Sequence, residues 1–375
     1  MSKLFHALYN ELLKHELINN NYPMKITYKS FFLLALLLSV VFGSGCKFRR
    51  IQDAITGATN SIHADGNSLF HRSKPEALQA GKLMIQGEID KAGYIDFAKI
   101  YQREVFVKET KEGEFLGAYR YTGYSLFDLL NKHLLQKKNA KEFPPAIDAY
   151  IVVENEAGEK VSFSWSEIFH TAQLHQVLIA TAVAPIQPYK KEVNYPIPVK
   201  WKLIAAGDFT SERFLDNPIS ISIVSFDKKN YPIVKGMKPA YSEFISLVLH
   251  DSIVAQIDKN GLHNCEIVYK TSFYGMGMGN HPSEGFRGFP LELMTTDAIP
   301  NSAELKKEGL ICFVGVDGYR TVYSYSELFN RADGVKPILT MNEQADGGLF
   351  RIFHPTDFFA DRSVKALTEL YFFRP

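Results

Sequence analysis

The sequence carries almost no excess charge: 42 lysines and arginines stand against 41 aspartates and glutamates, a formal net charge of +1 over 375 residues. A chain that neutralises many phosphates shows a basic excess or a basic stripe. Neither is present, so nucleic acid is not an expected partner. Cysteine is scarce as well, with Cys46, Cys265 and Cys312 alone, which leaves room for one bridge at most. The apolar run at residues 31–42 is twelve residues long, short of the roughly 20 that span a bilayer. Residues 275–279 hold three glycines at alternate positions, yet no helix can open before His281-Pro282, so they form no dinucleotide-binding fingerprint. No Ser-His-Asp order or paired-carboxylate motif stands out either. Such groups assemble in space, so their absence from the sequence excludes nothing.

What the chain does have is a stretch that occurs twice. Residues 310–329, LICFVGVDGYRTVYSYSELF, read as strand, turn, strand and helix start, and residues 150–169 have the same parts 160 positions earlier. The run 311–316 is apolar and of strand length, Asp317-Gly318 is a two-residue hairpin signal, and 319–323 is rich in β-branched and aromatic residues. Ser324 and Glu327, like Ser164 and Glu167, stand at capping-box spacing. In the earlier copy the turn at 155–158 is the longer one. A repeat at this distance implies two domains of one fold. A hydrophobic share of 46% over 375 residues can bury two cores, and 13% aromatics suit a β-rich interior.

Around the repeated hairpins the pattern predicts strands near 83–89, 104–108, 114–121, 177–184, 202–206, 219–224, 245–249 and 265–270. It predicts short helices at 94–101 and from Gly123 to about Leu135. Asp208-Phe209 and Arg213 return as Asp357-Phe358 and Arg362, an offset of 149. The eleven missing positions correspond to a proline-rich loop in the first copy. Residues 225–240, with Pro232, Gly236 and Pro239 and no periodicity, form the linker.

The N-terminus reads as targeting. A basic start at 24–29 precedes the apolar run and the small residues Gly43-Ser44-Gly45 before Cys46, as in a signal-peptide core. The arrangement is similar to a bacterial lipoprotein signal, with Gly43 where an aliphatic residue is usual. It implies lipidation at Cys46, a membrane contact through that lipid, and a place in the cell envelope outside the cytoplasm. The 23 residues before Met24 add nothing that a signal needs. The expected organisation is an upstream extension and signal over 1–46, a polar tether over 47–80, a first domain over 81–226 and a second over 240–375. In such a compartment disulfides persist. Cys265 and Cys312 either pair or stay as free thiols buried on strands, the reading their apolar settings favour.

The ordered elements also carry a family resemblance. Gly288-Phe289-Pro290-Leu291 opening a helix, Asp317-Gly318-Tyr319 at a strand end, the capped helix, Asn342 with Gly348 and Arg351, and Ser363-Val364-Lys365 as a last strand resemble the molybdopterin-binding domain of the sulfite oxidase type. The resemblance covers about 130 residues of the second domain and is fainter in the first. It implies an α+β, mainly β fold in two tandem copies, molybdopterin as cofactor, and redox chemistry on a small oxoanion or sulfoxide with an envelope redox partner. Arg351, Lys365, Asp317 and Ser363 take the cofactor-binding positions, because an anionic cofactor needs cations projecting from strand ends. In the first domain Lys202 stands for the Arg, and Asp216 stands at the place of Lys365. A carboxylate there repels a phosphate, so the first domain is the poorer, degenerate copy.

The same resemblance puts a thiolate on molybdenum, and Cys265 is the cysteine ahead of Gly288. It is therefore the catalytic and metal-ligating candidate, with a buried core thiol as its other reading. Phe286 and Asp346 stand where the family has Trp and His. Met276, Met278 and His281 are soft donors in a stretch without counterpart in the first domain, either a copper(I) site or a packing loop. His170, His175 and His263 lack ligand spacing. Two functions stay open: a pterin-dependent oxidoreductase, and a non-catalytic lipid-anchored module that binds a small molecule or a protein.

Overall fold

The alternation of side chains along residues 149–155 explains how the molecule is layered. In a strand successive side chains point to opposite faces. In Ala149–Asn155, Ala149, Ile151 and Val153 enter the core of the first half, while Tyr150 and Val152 enter a separate core at the junction of the halves. Leu310–Gly315 does the same, with Ile311 and Phe313 in the core of the second half and Leu310, Cys312 and Val314 at the junction. A strand buried on both faces reads as a continuous apolar run, and these are the two runs by which the sequence announces its repeat.

The computed structural model describes residues 70–188, 192–261, 265–283, 285–341 and 349–375. Ser68–Pro375 is one compact unit, mainly β, with helices of five or six residues. No helix among the described residues is long and apolar enough to cross a membrane. Cys46 with the signal, the tether as far as residue 69, and His263, Asn342, Asp346 and Gly348 lie outside the described residues.

Each half contributes a five-stranded sheet of the same order. In the first it runs Gly93–Tyr94, Met84–Gly87, Pro218–Ser225, Ala149–Asn155, Lys160–Ser164; in the second it runs Ser252–Asp258, Phe244–Leu249, Leu367–Phe373, Leu310–Gly315, Arg320–Ser324. In both, the second and third strands pair in parallel and the other neighbours are antiparallel. A parallel pair needs a long crossover, and in each half nearly all the remaining elements supply it. The crossover forms a second sheet, with Gln102–Lys111, Glu114–Ser125, Val177–Pro188, Lys202–Ala205 and Leu215–Asp216 in the first half and Ile267–Tyr269, Phe286–Pro290, Ile338–Met341 and Phe350–Phe353 in the second.

Gly123 and Gly288 show how closely the second sheets correspond. A Cβ on Gly123 would lie 2.1 Å from the Ile179 carbonyl oxygen, and one on Gly288 2.3 Å from that of Leu339; 179 and 339 differ by the repeat offset. Glycine is kept here by the close approach of a neighbouring strand. Gly288→Ala is expected to cost about 1–3 kcal/mol through overpacking, read as a lower denaturation midpoint at unchanged slope. An unchanged midpoint would show that the strand pair relaxes freely.

The halves are joined by a buried polar cluster that crosses between them reciprocally. Ser164 Oγ donates to Glu327 (2.5 Å) and Ser324 Oγ donates to Glu167 (2.8 Å). Arg213 binds Glu167 and Asp208 in its own half at 2.7 and 2.5 Å and reaches Ser324 at 3.2 Å. Arg362 binds Glu327 and Asp357 at 2.6 and 2.8 Å and reaches Ser164 at 3.4 Å. The backbone repeats the exchange, since Phe209 N–H donates to Asn330 O and Phe358 N–H to His170 O. The cluster sets four carboxylates against two guanidiniums. Burial therefore outweighs the arginines and raises Asp208 to about 6, with Glu327 and Asp357 also raised.

Several expectations are corrected. Residues 94–101 form no helix, and the second expected helix shrinks to Leu126–Leu130 with Gly123 still in the strand. The repeated hairpins share one turn: Gly158 and Gly318 have φ of 78° and 79°, and matching bonds run from Asn155 N–H to Glu159 O and from Gly315 N–H to Tyr319 O. Both are thus three-residue loops with a left-handed glycine, and neither a two-residue nor a longer turn occurs. The tether expected as far as residue 80 ends sooner, because Phe70–Arg72 and Glu76–Ala77 pair with Val177–Pro188. The Ser363-Val364-Lys365 segment is irregular, and the last strand starts at Leu367. Cys265 and Cys312 are both free; Cys312 is buried, but Cys265 is exposed and precedes its strand.

Candidate functional site

Arg351 comes from the strand Phe350–Phe353 at the edge of the second half's smaller sheet. Its guanidinium lies over the Phe273 ring at 4.5 Å, and its Nε donates to Ser363 Oγ at 2.7 Å. Ser363 in turn donates to the Ile352 carbonyl at 2.5 Å. The arginine is thus held by stacking and by a tethered hydroxyl, with its two terminal nitrogens unpaired among the described residues. Lys365 follows two residues after Ser363, in the irregular segment before the last strand.

These residues border a cavity of about 360 Å³, within the range of small-molecule sites, whose walls include Arg351, Ser363, Lys365, Asp317, Tyr319 and Asp361, together with residues of the hairpin Phe273–Gly275 and Gly279–His281. All four residues expected to bind a cofactor are therefore brought together. Burial lowers Arg351 to about 10, and burial together with the nearby Arg351 charge lowers Lys365. Among the described residues no carboxylate offsets either shift and neither cation has an ion-pair partner. Two like charges held near each other without a direct ion pair favour the arrival of an anion that can bind both.

At the corresponding place in the first half the cation is already paired, although Lys202, Glu109 and Asp216 line a cavity of about 510 Å³. Lys202 is hydrogen-bonded to Glu109 and lies 3.5 Å from Asp216, and Glu109 also accepts from Tyr121 at 3.0 Å. The cation that would attract a ligand is already neutralised there.

Cys265 is not among the residues that line the cavity. Among the described residues no group of three or more His, Cys, Asp and Glu could hold a metal ion. Met278 and His281 border the cavity, whereas Met276 does not and is 45% exposed. Sequence reasoning missed Tyr319 and Asp361. Asp-Gly-Tyr was noted as a motif, but the hydroxyl of Tyr319 donates to the Asp361 carbonyl (2.8 Å), a link across 42 residues that no local pattern announces. No family model and no curated protein matches the chain.

Proposed function

We propose that this protein is a lipid-anchored envelope module whose second half binds a small molecule bearing a phosphate or related oxoanion. One observation carries the reading: Arg351 and Lys365 line one cavity, and among the described residues neither is ion-paired, although Asp317 and Asp361 line it too. Arginine supplies planar paired donors and lysine a point charge, the combination that suits an oxoanion.

Molybdopterin is the group that the family resemblance implies, and its two ends fare differently here. The phosphate end suits Arg351, Lys365 and Ser363. The metal end requires a soft protein ligand, and the walls of the cavity contain no thiol because Cys265 lies outside them. No redox step is therefore derived, and the non-catalytic reading is favoured over the oxidoreductase.

The test is calorimetric titration of the full chain with a phosphate ester of a pterin and with inorganic phosphate. Arg351→Ala is expected to weaken binding about tenfold to a hundredfold, the worth of one or two charged hydrogen bonds at roughly 1.5–3 kcal/mol. Affinity should also fall with salt. Affinity unchanged by that substitution would place the site elsewhere.

A further inference from the structure

Two carboxylates border the cavity as well as two cations, and among the described residues none of the four is ion-paired with another. Asp317 Oδ1 accepts from the Tyr319 N–H of its own turn at 3.0 Å, and Asp361 Oδ2 accepts from the Met276 N–H of the hairpin at 2.7 Å. Each carboxylate thus has one oxygen fixed and the other without a partner among the described residues. Both act on Tyr319, whose hydroxyl is pushed up by burial and then by the charges of Asp361 and Asp317. Neither acts on Arg351 or Lys365, which feel burial and, for the lysine, each other. Opposite charges that border one hollow would normally swing together, but Ser363 and Phe273 fix the arginine while the backbone amides fix the acids. Their attraction is left for whatever enters.

We propose that the ligand is dipolar: a phosphate or sulfonate that lies on Arg351 and Lys365, joined by a short linker to a protonated amine that lies on Asp317 and Asp361. This rests on the anion-binding reading and adds the second charge. A ligand with the anion alone leaves the two carboxylates bordering the same cavity, which costs affinity. A ligand with both charges satisfies both pairs, and discrimination arises from the group the site would otherwise leave unpaired.

The experiment compares two isosteres on the full chain by calorimetry: O-phosphoethanolamine and propyl phosphate, which differ in an ammonium against a methyl group. Phosphoethanolamine is expected to bind at least about tenfold tighter, in line with a charged hydrogen bond. In the Asp317→Asn/Asp361→Asn variant, whose amide oxygens still accept from the Tyr319 and Met276 amides, that ratio should fall to near one while propyl phosphate binds as well or better. Equal binding of the two compounds by the native protein, or a ratio that survives the double variant, overturns the dipolar ligand but leaves the anion site standing. No binding of either compound or of inorganic phosphate overturns both. Vesicles of phosphatidylethanolamine present the same pair of charges. If they displace bound phosphoethanolamine, the source is a lipid head group; if they do not, it is a free metabolite. Either result supports the class.

Discussion

Arg362→Ala is expected to lower folding stability by about 3–5 kcal/mol, the usual cost of removing one partner from a buried charge pair. The guanidinium is 1% exposed, stacks on Tyr323 at 3.5 Å, and is the counterion of both Glu327 and Asp357. Its removal leaves two buried carboxylates that burial has already pushed up, and without the arginine they rise further. A carboxyl whose folded-state value lies above its unfolded value stabilises the fold below the unfolded value and loses that contribution as pH rises through the folded one. The deficit of the variant should therefore be largest at neutral pH and narrow towards pH 4. Urea denaturation at both pH values measures it. A loss below about 1 kcal/mol at neutral pH would mean that the cluster is not sealed from water. Arg213→Ala should behave alike, since the arginine occupies the same place in the other half, and the double variant should depart from the sum because both belong to one hydrogen-bonded cluster.

The second large effect concerns His354. It is buried against Tyr323, with Nε2 at 3.1 Å from the Glu327 carbonyl and Nδ1 at 2.9 Å from Thr356 Oγ1. Burial lowers it to about 4, with Arg331 and Arg362 acting in the same direction and Glu327 against them; Asp357 lies 3.9 Å away. The unfolded chain binds a proton at its ordinary value of about 6.5 and the folded chain does not, so this contribution is present above about 6.5 and is lost as pH falls through 4. The gap corresponds to about 3 kcal/mol. Asp208, Glu327 and Asp357 act in the opposite sense, which masks the effect in the native protein. The comparison that isolates it is with His354→Gln: between pH 7 and 4 the native protein should lose about 3 kcal/mol more than the variant. Parallel pH profiles would show that this imidazole is protonated in the fold.

The sequence made some of this legible and hid the rest for physical reasons. Strands 149–155 and 310–315 were plain because burial on both faces makes them apolar throughout. The caps at Ser164 and Ser324 were plain because capping is local. The helix expected at 123–135 failed because Gly123 is required by a neighbouring strand 56 residues later, and a long-range contact overrides local propensity. The shared three-residue turn was missed because Asp-Gly is a signal for shorter hairpins as well. Arg351, Lys365, Asp317 and Ser363 were found together because strand ends lie at fixed places in each copy. Cys265 failed as their companion because its position was inferred from chain order, which does not say where an exposed residue before a strand will lie. The repeated Asp208 and Arg213, Asp357 and Arg362 were seen as markers, but their use across the junction was invisible, since each arginine closes on a residue about 110 to 200 positions away.

That reciprocity bears on why a half with a neutralised pocket is retained at all. Ser324 would lose its acceptor Glu167, and Glu327 its donor Ser164, if residues 81–226 were cut away. The N-terminal copy therefore serves as a keystone: a truncated gene encoding only the ligand-holding portion would yield a chain with bare ionic groups on an apolar face, prone to clump before it could work.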